Sequence, residues 1–265
     1  MAYSAGDTIL DDEYNTFATG NTAGTGDTSA ASINTIWGSG TGDAGYGQSN
    51  VVSAVAAGST ITATQWTTLL GRLNSIRQHQ GTSINISSFS VSAGDAIAVI
   101  ANLSADITTL YNARTTAASA NITESTTAAT YTSSWNSSVK ATHTVTFAGG
   151  DEARYFFNAG GFIKLNPSLS DSTGRNAQWK FLLDEVGDLK LLASTFTRSF
   201  SNESSGYGAG GDNTPTTHAS TTGYYDLTNS TDTSMFKYTI DDAFGYGNYR
   251  ANFYEVQINP GADHS

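Results

Sequence analysis

The chain has 265 residues, enough for one or two domains with a sizeable core. Charged residues make up 13% of it and the formal net charge is −11, so phosphate backbones are repelled and neither nucleic acid nor a membrane surface is expected as a partner. There are no cysteines, which excludes disulfides and thiolate metal sites.

The surface this composition implies is neutral and polar, filled by Thr, Ser, Ala, Asn and Gly. Residues 1–50 contain no Lys or Arg. The N-terminus lacks the basic and apolar regions of a signal peptide, and no apolar run approaches the ~18 residues of a membrane span. Synthesis in a cytoplasm is expected.

One phrase occurs three times: SAGDTI at residues 4–9, AAGSTI at 56–61 and SAGDAI at 92–97. Each copy precedes a helix-forming pattern. Gly lets the chain turn, the small polar residues cap, and the Ile staples the first turn. The phrase therefore reads as a helix-starting device and not as a ligand loop.

The first copy leads into LDDEYNTFATG, with Leu10, Tyr14 and Phe17 on one face and Asp11, Asp12 and Glu13 in the first turn, where negative charge is favoured. A short helix is predicted over 10–18. Residues 20–50 follow, rich in Gly, Thr and Ser, with Ile33, Ile36 and Trp37 as apolar anchors. A long irregular stretch of this kind reads either as an arm packing on a neighbour or as a loop folded on its own domain.

The second copy leads into TATQWTTLLGRLNSIRQHQG. Thr62 and Gln65 have capping-box spacing, Trp66, Leu69, Leu70, Leu73 and Ile76 recur at helical spacing, and Gly81 supplies a stop. A helix is predicted over 63–80. After the third copy, Ile100, Leu103, Ile107 and Leu110 follow three-four spacing close to a heptad seam, predicting a helix over 95–114. Residues 115–137 are poor in bulky apolar groups and mark a boundary.

Beyond 138 the pattern changes. VKATHTVTFAG alternates, with Val139, Ala141, His143, Val145 and Phe147 on one face, and reads as a strand. ARYFFNAGGFIKLNPSLS reads as two strands joined by a turn at 158–161. NAQWKFLLDEVGD reads as a helix ended by Gly187. Strands are then predicted at LKLLASTFTRSFS, TGYYDLT, MFKYTID and YRANFYEVQINP, the last ended by Pro260. The fold class expected is α+β: a helical docking region over 1–120, carrying the arm at 20–50, followed by an antiparallel β-sandwich over 138–265 with one inserted helix.

Candidate chemistry is sparse. His79, His143, His218 and His264 have no partner at ligand spacing. The oxygen-rich stretches DLTNSTD (226–232) and GDNT (211–214) lack an ordered calcium-loop scheme. There is no G-x-S-x-G. Asp184/Glu185 and Asp241/Asp242 read as solvated surface. No catalytic residue, metal site or cofactor is expected. Tyr207 and Tyr246, flanked by Gly and near amide side chains, are the candidates for glycan contact.

The stretch AGSTITATQWTTLLGRLNSIRQHQG (57–81) resembles a segment found in virion structural proteins of large tailed bacteriophages, including those of marine cyanobacteria. ARYFFNAGGFI followed by NAQWKFLL (153–183) is similar to a block in such proteins, often of the neck, tail or fibre region. The resemblance covers these two blocks and carries no catalytic motif. It implies a non-enzymatic structural subunit of a virion, made in the host cytoplasm, with itself and other virion proteins as partners.

Two helices with narrow apolar seams bury too little surface alone. That points to a homo-oligomer, a trimer or a ring, docked through Trp66, Leu69, Leu73 and Ile76, through Ile100, Leu103, Ile107 and Leu110, and through Trp37. The alternative from another class is a glycan-binding adhesin for the host surface, working through Tyr207 and Tyr246. A polysaccharide-degrading enzyme ranks below both.

Overall fold

A computed structural model describes residues 11–20, 31–92, 100–174, 176–199, 214–228, 231–239 and 252–261. The chain divides into two compact units: Met1–Gly40 with Ala44–Tyr155, and Thr41–Asp43 with Phe156–Ser265. The division thus falls after Tyr155, where composition had placed the start of the second domain at 138. The described elements are mixed α and β: six α-helices and two three-stranded antiparallel sheets, neither closed into a barrel.

The first unit is built on four helices, α1 (Asp11–Thr19), α2 (Ile33–Trp37), α3 (Ala63–Gln80) and α4 (Ile100–Asn112). The helix α3 starts where its capping box predicts. The Thr62 side chain accepts from Gln65 N–H at 3.3 Å, and Gln65 Oε1 accepts from Thr62 N–H at 2.7 Å. It ends at Gly81, whose N–H reaches the Arg77 carbonyl. The helix α2 has the same device, with Ser32 and Thr35 as the reciprocal pair. The described part of the third repeat phrase is Ser92 alone, and the first copy lies outside the described residues. In the second copy Ser59 N–H closes a turn on Ala56 C=O at 3.0 Å, with every residue from 56 to 60 exposed.

The glycine-rich stretch after α2 folds back on it. Tyr46 N–H donates to Ile36 C=O at 2.8 Å and Gly47 N–H to Gly38 C=O at 2.9 Å. Gly45 has φ +86, and a Cβ there would stand 2.6 Å from Gly38 O and 2.5 Å from Gly40 N. Only glycine allows the backbones to approach so closely. Within the 20–50 stretch, residues 44–50 therefore fold back on α2 in their own unit. Ile33 and Ile36 are fully buried and Tyr46 nearly so.

The sequence-predicted strand at ARYFFN is a helix, α5 (Gly150–Asn158). Asp151 and Glu152 occupy its first turn, Arg154 pairs with Asp151 at 2.9 Å, and the buried Ala153 and Phe157 are four apart. The expected hairpin turn is its C-terminal cap: Gly160, at φ +84, donates to Phe157 C=O and Gly161 to Phe156 C=O. A left-handed glycine stops a helix here as readily as it would turn a hairpin.

In the second unit β1 (Ile163–Leu165), β2 (Asp188–Leu191) and β3 (Phe196–Ser199) form one sheet in that order. LKLLASTFTRSFS, expected as one strand, is a hairpin, because Leu192 N–H bonds Thr195 C=O and turns the chain. The other sheet contains β4 (Thr217–His218), β5 (Thr233–Thr239) and β6 (Phe253–Ile258), with β5 central. An irregularity between Ser234 and Phe236 puts two consecutive residues, Met235 and Phe236, in the core. The stretch TGYYDLT is a 3₁₀ turn, Tyr224–Asp226, held by Asp226 Oδ2 accepting from Gly223 N–H at 2.7 Å. The predicted inserted helix is α6 (Asn176–Val186), packed on β5 and β6.

Candidate docking surface

The residues expected to form an oligomer seam are core. Trp66, Leu69, Leu73, Ile76, Leu103, Ile107 and Leu110 are each at most 1% exposed within a single chain. The seam was expected to need other copies because two helices alone cannot cover it. Two further helices and two loops supply the cover. From α1, Tyr14 meets the Trp66 ring edge-on at 5.4 Å. Val52 and Val55 come from the loop after α2, and Ile86 from the loop after α3. Of Ile100 only the backbone is described. Trp37 is half-buried and engaged: its Nε1 donates to Asn50 Oδ1 at 2.8 Å and the Arg72 guanidinium lies over its ring at 5.4 Å.

Those covering loops are held by three buried or half-buried polar side chains that the sequence reading passed over. Asn15 donates to Val55 C=O and accepts from Val55 N–H, both at 2.8 Å. Asn34 does the same for Val52, at 2.8 and 2.9 Å. Each amide thereby copies one rung of a strand ladder and pins an extended loop to a helix. Asp106, almost fully buried, accepts from Asn85 N–H at 3.0 Å, from Asn85 Nδ2 at 2.8 Å and from Ile86 N–H at 2.9 Å. In the sequence each stands next to an apolar core residue, Tyr14, Ile33 or Ile107, and that adjacency was the available signal. Gln80 adds a fourth contact, donating to Tyr46 Oη at 2.8 Å and Leu110 C=O at 3.0 Å. Burial pushes the Tyr46 hydroxyl up to about 12.

Tyr207 and Tyr246, the glycan candidates, lie outside the described residues, as do Asp241, Asp242 and His264. Other aromatics of the second half are occupied within their unit. Tyr224 stacks on Phe157 at 4.3 Å, and Tyr225 Oη donates to Asn158 Oδ1. Lys237 lies over Phe253 at 3.9 Å. Asp184 pairs with Lys180 at 2.6 Å on the surface as expected. Glu185 is buried, which corrects its reading as surface, because α6 turns that side of its last turn toward the sheet. Among the described residues no group of three His, Asp or Glu side chains could hold a metal ion, and no helix is long and apolar enough to cross a membrane.

What the first unit does expose is the stretch after α4. Every residue from 119 to 149 is exposed except Trp135 and Phe147. VKATHTVTF, expected as a strand, forms none: residues 140–146 have no ladder partner among the described residues. The alternation is real, but a strand exists only once an edge pairs with it. Of the large apolar side chains exposed among the described residues, four lie in this run: Ile122 at 39%, Tyr131 at 53%, Val139 at 52% and Val145 at 55%. The others are Val51, Phe156 and Phe253. No protein-family model, curated protein or solved structure matches the chain.

Proposed function

We propose that this chain is a non-enzymatic structural subunit of a tailed-phage virion, a component of its neck, tail or fibre, that works by assembly. The observation carrying the reading is the run 119–149, which presents the apolar side chains of Ile122, Tyr131, Val139 and Val145 to solvent and, among the described residues, forms no strand. Such a run is costly for a solitary protein and useful to an assembling one. The buried polar groups support the same reading, because Asn15, Asp106 and Gln80 are spent on holding loops. The likeness of 57–81 and 153–183 to virion proteins supplies the kind of assembly.

The two sheets of the second unit are proposed as the layers of a small sandwich. Supporting this, the Arg198 guanidinium of β3 lies 5.6 Å from the rings of both Phe236 and Tyr238 on β5. His218 Nε2 sits 3.1 Å from Phe196 C=O.

The test is immunogold labelling, with antibody to this chain, of particles purified from a lysate that contains it. Label at a fixed place on tail, neck or fibre is the expected result. Unlabelled particles, with the protein recovered free in the lysate, would overturn the proposal.

A further inference from the structure

The dipeptide Asn-Ser occurs three times in the chain, at 74–75, 136–137 and 229–230. Asn229 and Ser230 lie outside the described residues, and the other two copies sit in opposite surroundings. Asn74 and Ser75 are inside α3, where the helical ladder holds the backbone N–H groups. Asn136 and Ser137 are exposed and belong to no helix or strand. We propose that Asn136 is a self-modification site, at which the chain converts its own asparagine to aspartate and isoaspartate through a cyclic imide formed with Ser137. The site stands independently of the virion reading.

The reaction uses only the chain and water. The backbone nitrogen of Ser137 gives up its proton and attacks Cγ of Asn136, forming an N–Cγ bond that closes a five-membered ring. The Cγ–Nδ2 bond breaks and the side-chain nitrogen leaves as ammonia. Water then opens the imide. Attack at the side-chain carbonyl gives aspartate in an ordinary backbone; attack at the main-chain carbonyl gives isoaspartate, with the chain routed through the side chain. In either product one ammonia has been exchanged for one water, nothing is oxidised or reduced, and a neutral amide has become a carboxylate. The run 119–149 contains Glu124 and Lys140 as its charged residues, so the conversion leaves it with a net negative charge where the two had cancelled.

Three features select Asn136. Both reacting groups are unengaged: among the described residues neither the Ser137 N–H nor the Asn136 side-chain amide has a hydrogen-bond partner. Ser137 has φ +71, and it is the one non-glycine residue with positive φ among the described residues. A left-handed serine fits neither helix nor strand, so no ladder competes for its N–H. Its side chain is also small and unbranched, which leaves the nitrogen open to the ring closure. The other described asparagines each lack one of these features. Asn15, Asn34, Asn74, Asn102 and Asn176 lie in helices, whose fixed backbone angles oppose ring closure. Asn166 and Asn259 precede prolines, which have no N–H. After Asn85, Asn112 and Asn121 the next N–H is already bonded, to Asp106, Thr109 and Ser119. Asn158 is fully buried, Asn252 is followed by the first residue of β6, and Asn50 by the β-branched Val51.

The test is peptide mapping by mass spectrometry of the full-length chain, held folded at pH 8 and 37 °C, with chromatography that resolves aspartate from isoaspartate. A gain of about 1 Da, with isoaspartate present, is expected at Asn136 roughly tenfold or more faster than at Asn74. In guanidinium chloride the two dipeptides lose their structural difference, and their rates are expected to converge. Ser137→Gly keeps the positive φ without strain and bares the nitrogen further, so it should speed the conversion several-fold. Asn136→Gln would have to close a six-membered ring and should show no conversion over the same period. A folded-chain rate at Asn136 no greater than that at Asn74, or one that rises tenfold on denaturation, would overturn the proposal.

Discussion

Asn15 and Asp106 show how single residues decide the first unit. Each uses a short polar side chain to satisfy the backbone of a loop that has no ladder, and so lets that loop bring Val55 or Ile86 over the core. Asn15→Ala would leave the N–H and C=O of Val55 buried and unpaired. A loss of about 2 kcal/mol is expected in urea unfolding followed by tryptophan fluorescence. In the second unit Asp188 accepts from Asn166 Nδ2 and pairs with Lys164 at 3.2 Å. The Asn166 hydrogen bond, with Lys164 beside it, holds the Asp188 carboxyl below the usual carboxylate range. A depressed folded-state pKa stabilises above the unfolded-state value, and the contribution is lost as pH falls through the folded one. Asp188→Asn is therefore expected to cost up to about 1 kcal/mol at pH 7, as for an exposed ion pair, and nothing once the Asp188 carboxyl is protonated in both the folded and the unfolded chain. Melting temperatures of both proteins measured from pH 7 down to 2 check this.

Elements in this chain are set by their ends as much as by their faces. The box of Thr62 and Gln65 starts α3, and the same reciprocal bonding by Ser32 and Thr35 allows α2 to exist at five residues. Thr62→Ala should cost about 1 kcal/mol by chemical denaturation, with the helix keeping its length, because Trp66 and Leu69 still hold its first turns in the core. The start of α3 was legible in the sequence for this reason: a cap is a contact among residues three apart. The nature of α5 was not. ARYFF has aromatics that suit a strand, and only the covering of Ala153 and Phe157 on one side selects the helical period over the alternating one. VKATHTVTF is the reverse case, since its period is that of a strand and no edge among the described residues pairs with it.

At the scale of the whole molecule, the helical seam and the exposed run exchange roles. Leu73 was expected to face another subunit; it is fully buried in its own unit. Leu73→Asp would place an unpaired carboxylate in that core and is expected to unfold the first unit, at a cost above about 4 kcal/mol. Loss of helical circular dichroism at 25 °C is the outcome sought. A folded but dissociated mutant would restore the seam as an interface. Assembly, as proposed, passes through the exposed run 119–149.

Local order was readable from residue types because caps, helical periodicity and glycine stops act over three to five positions. The span of α3, the stop of α6 at Gly187 and the course of β5 and β6 all followed from such short-range contacts. Burial did not. Whether the stripe from Trp66 to Ile76 faces solvent, a neighbour or its own chain depends on where α1 and the loops at 52–55 and 84–86 come to rest. Those positions are set by Asn15, Asn34 and Asp106 bonding across 40, 18 and about 20 positions of chain. A contact that distant leaves no periodic trace in a sequence, because it is specified by the packing of everything between its ends.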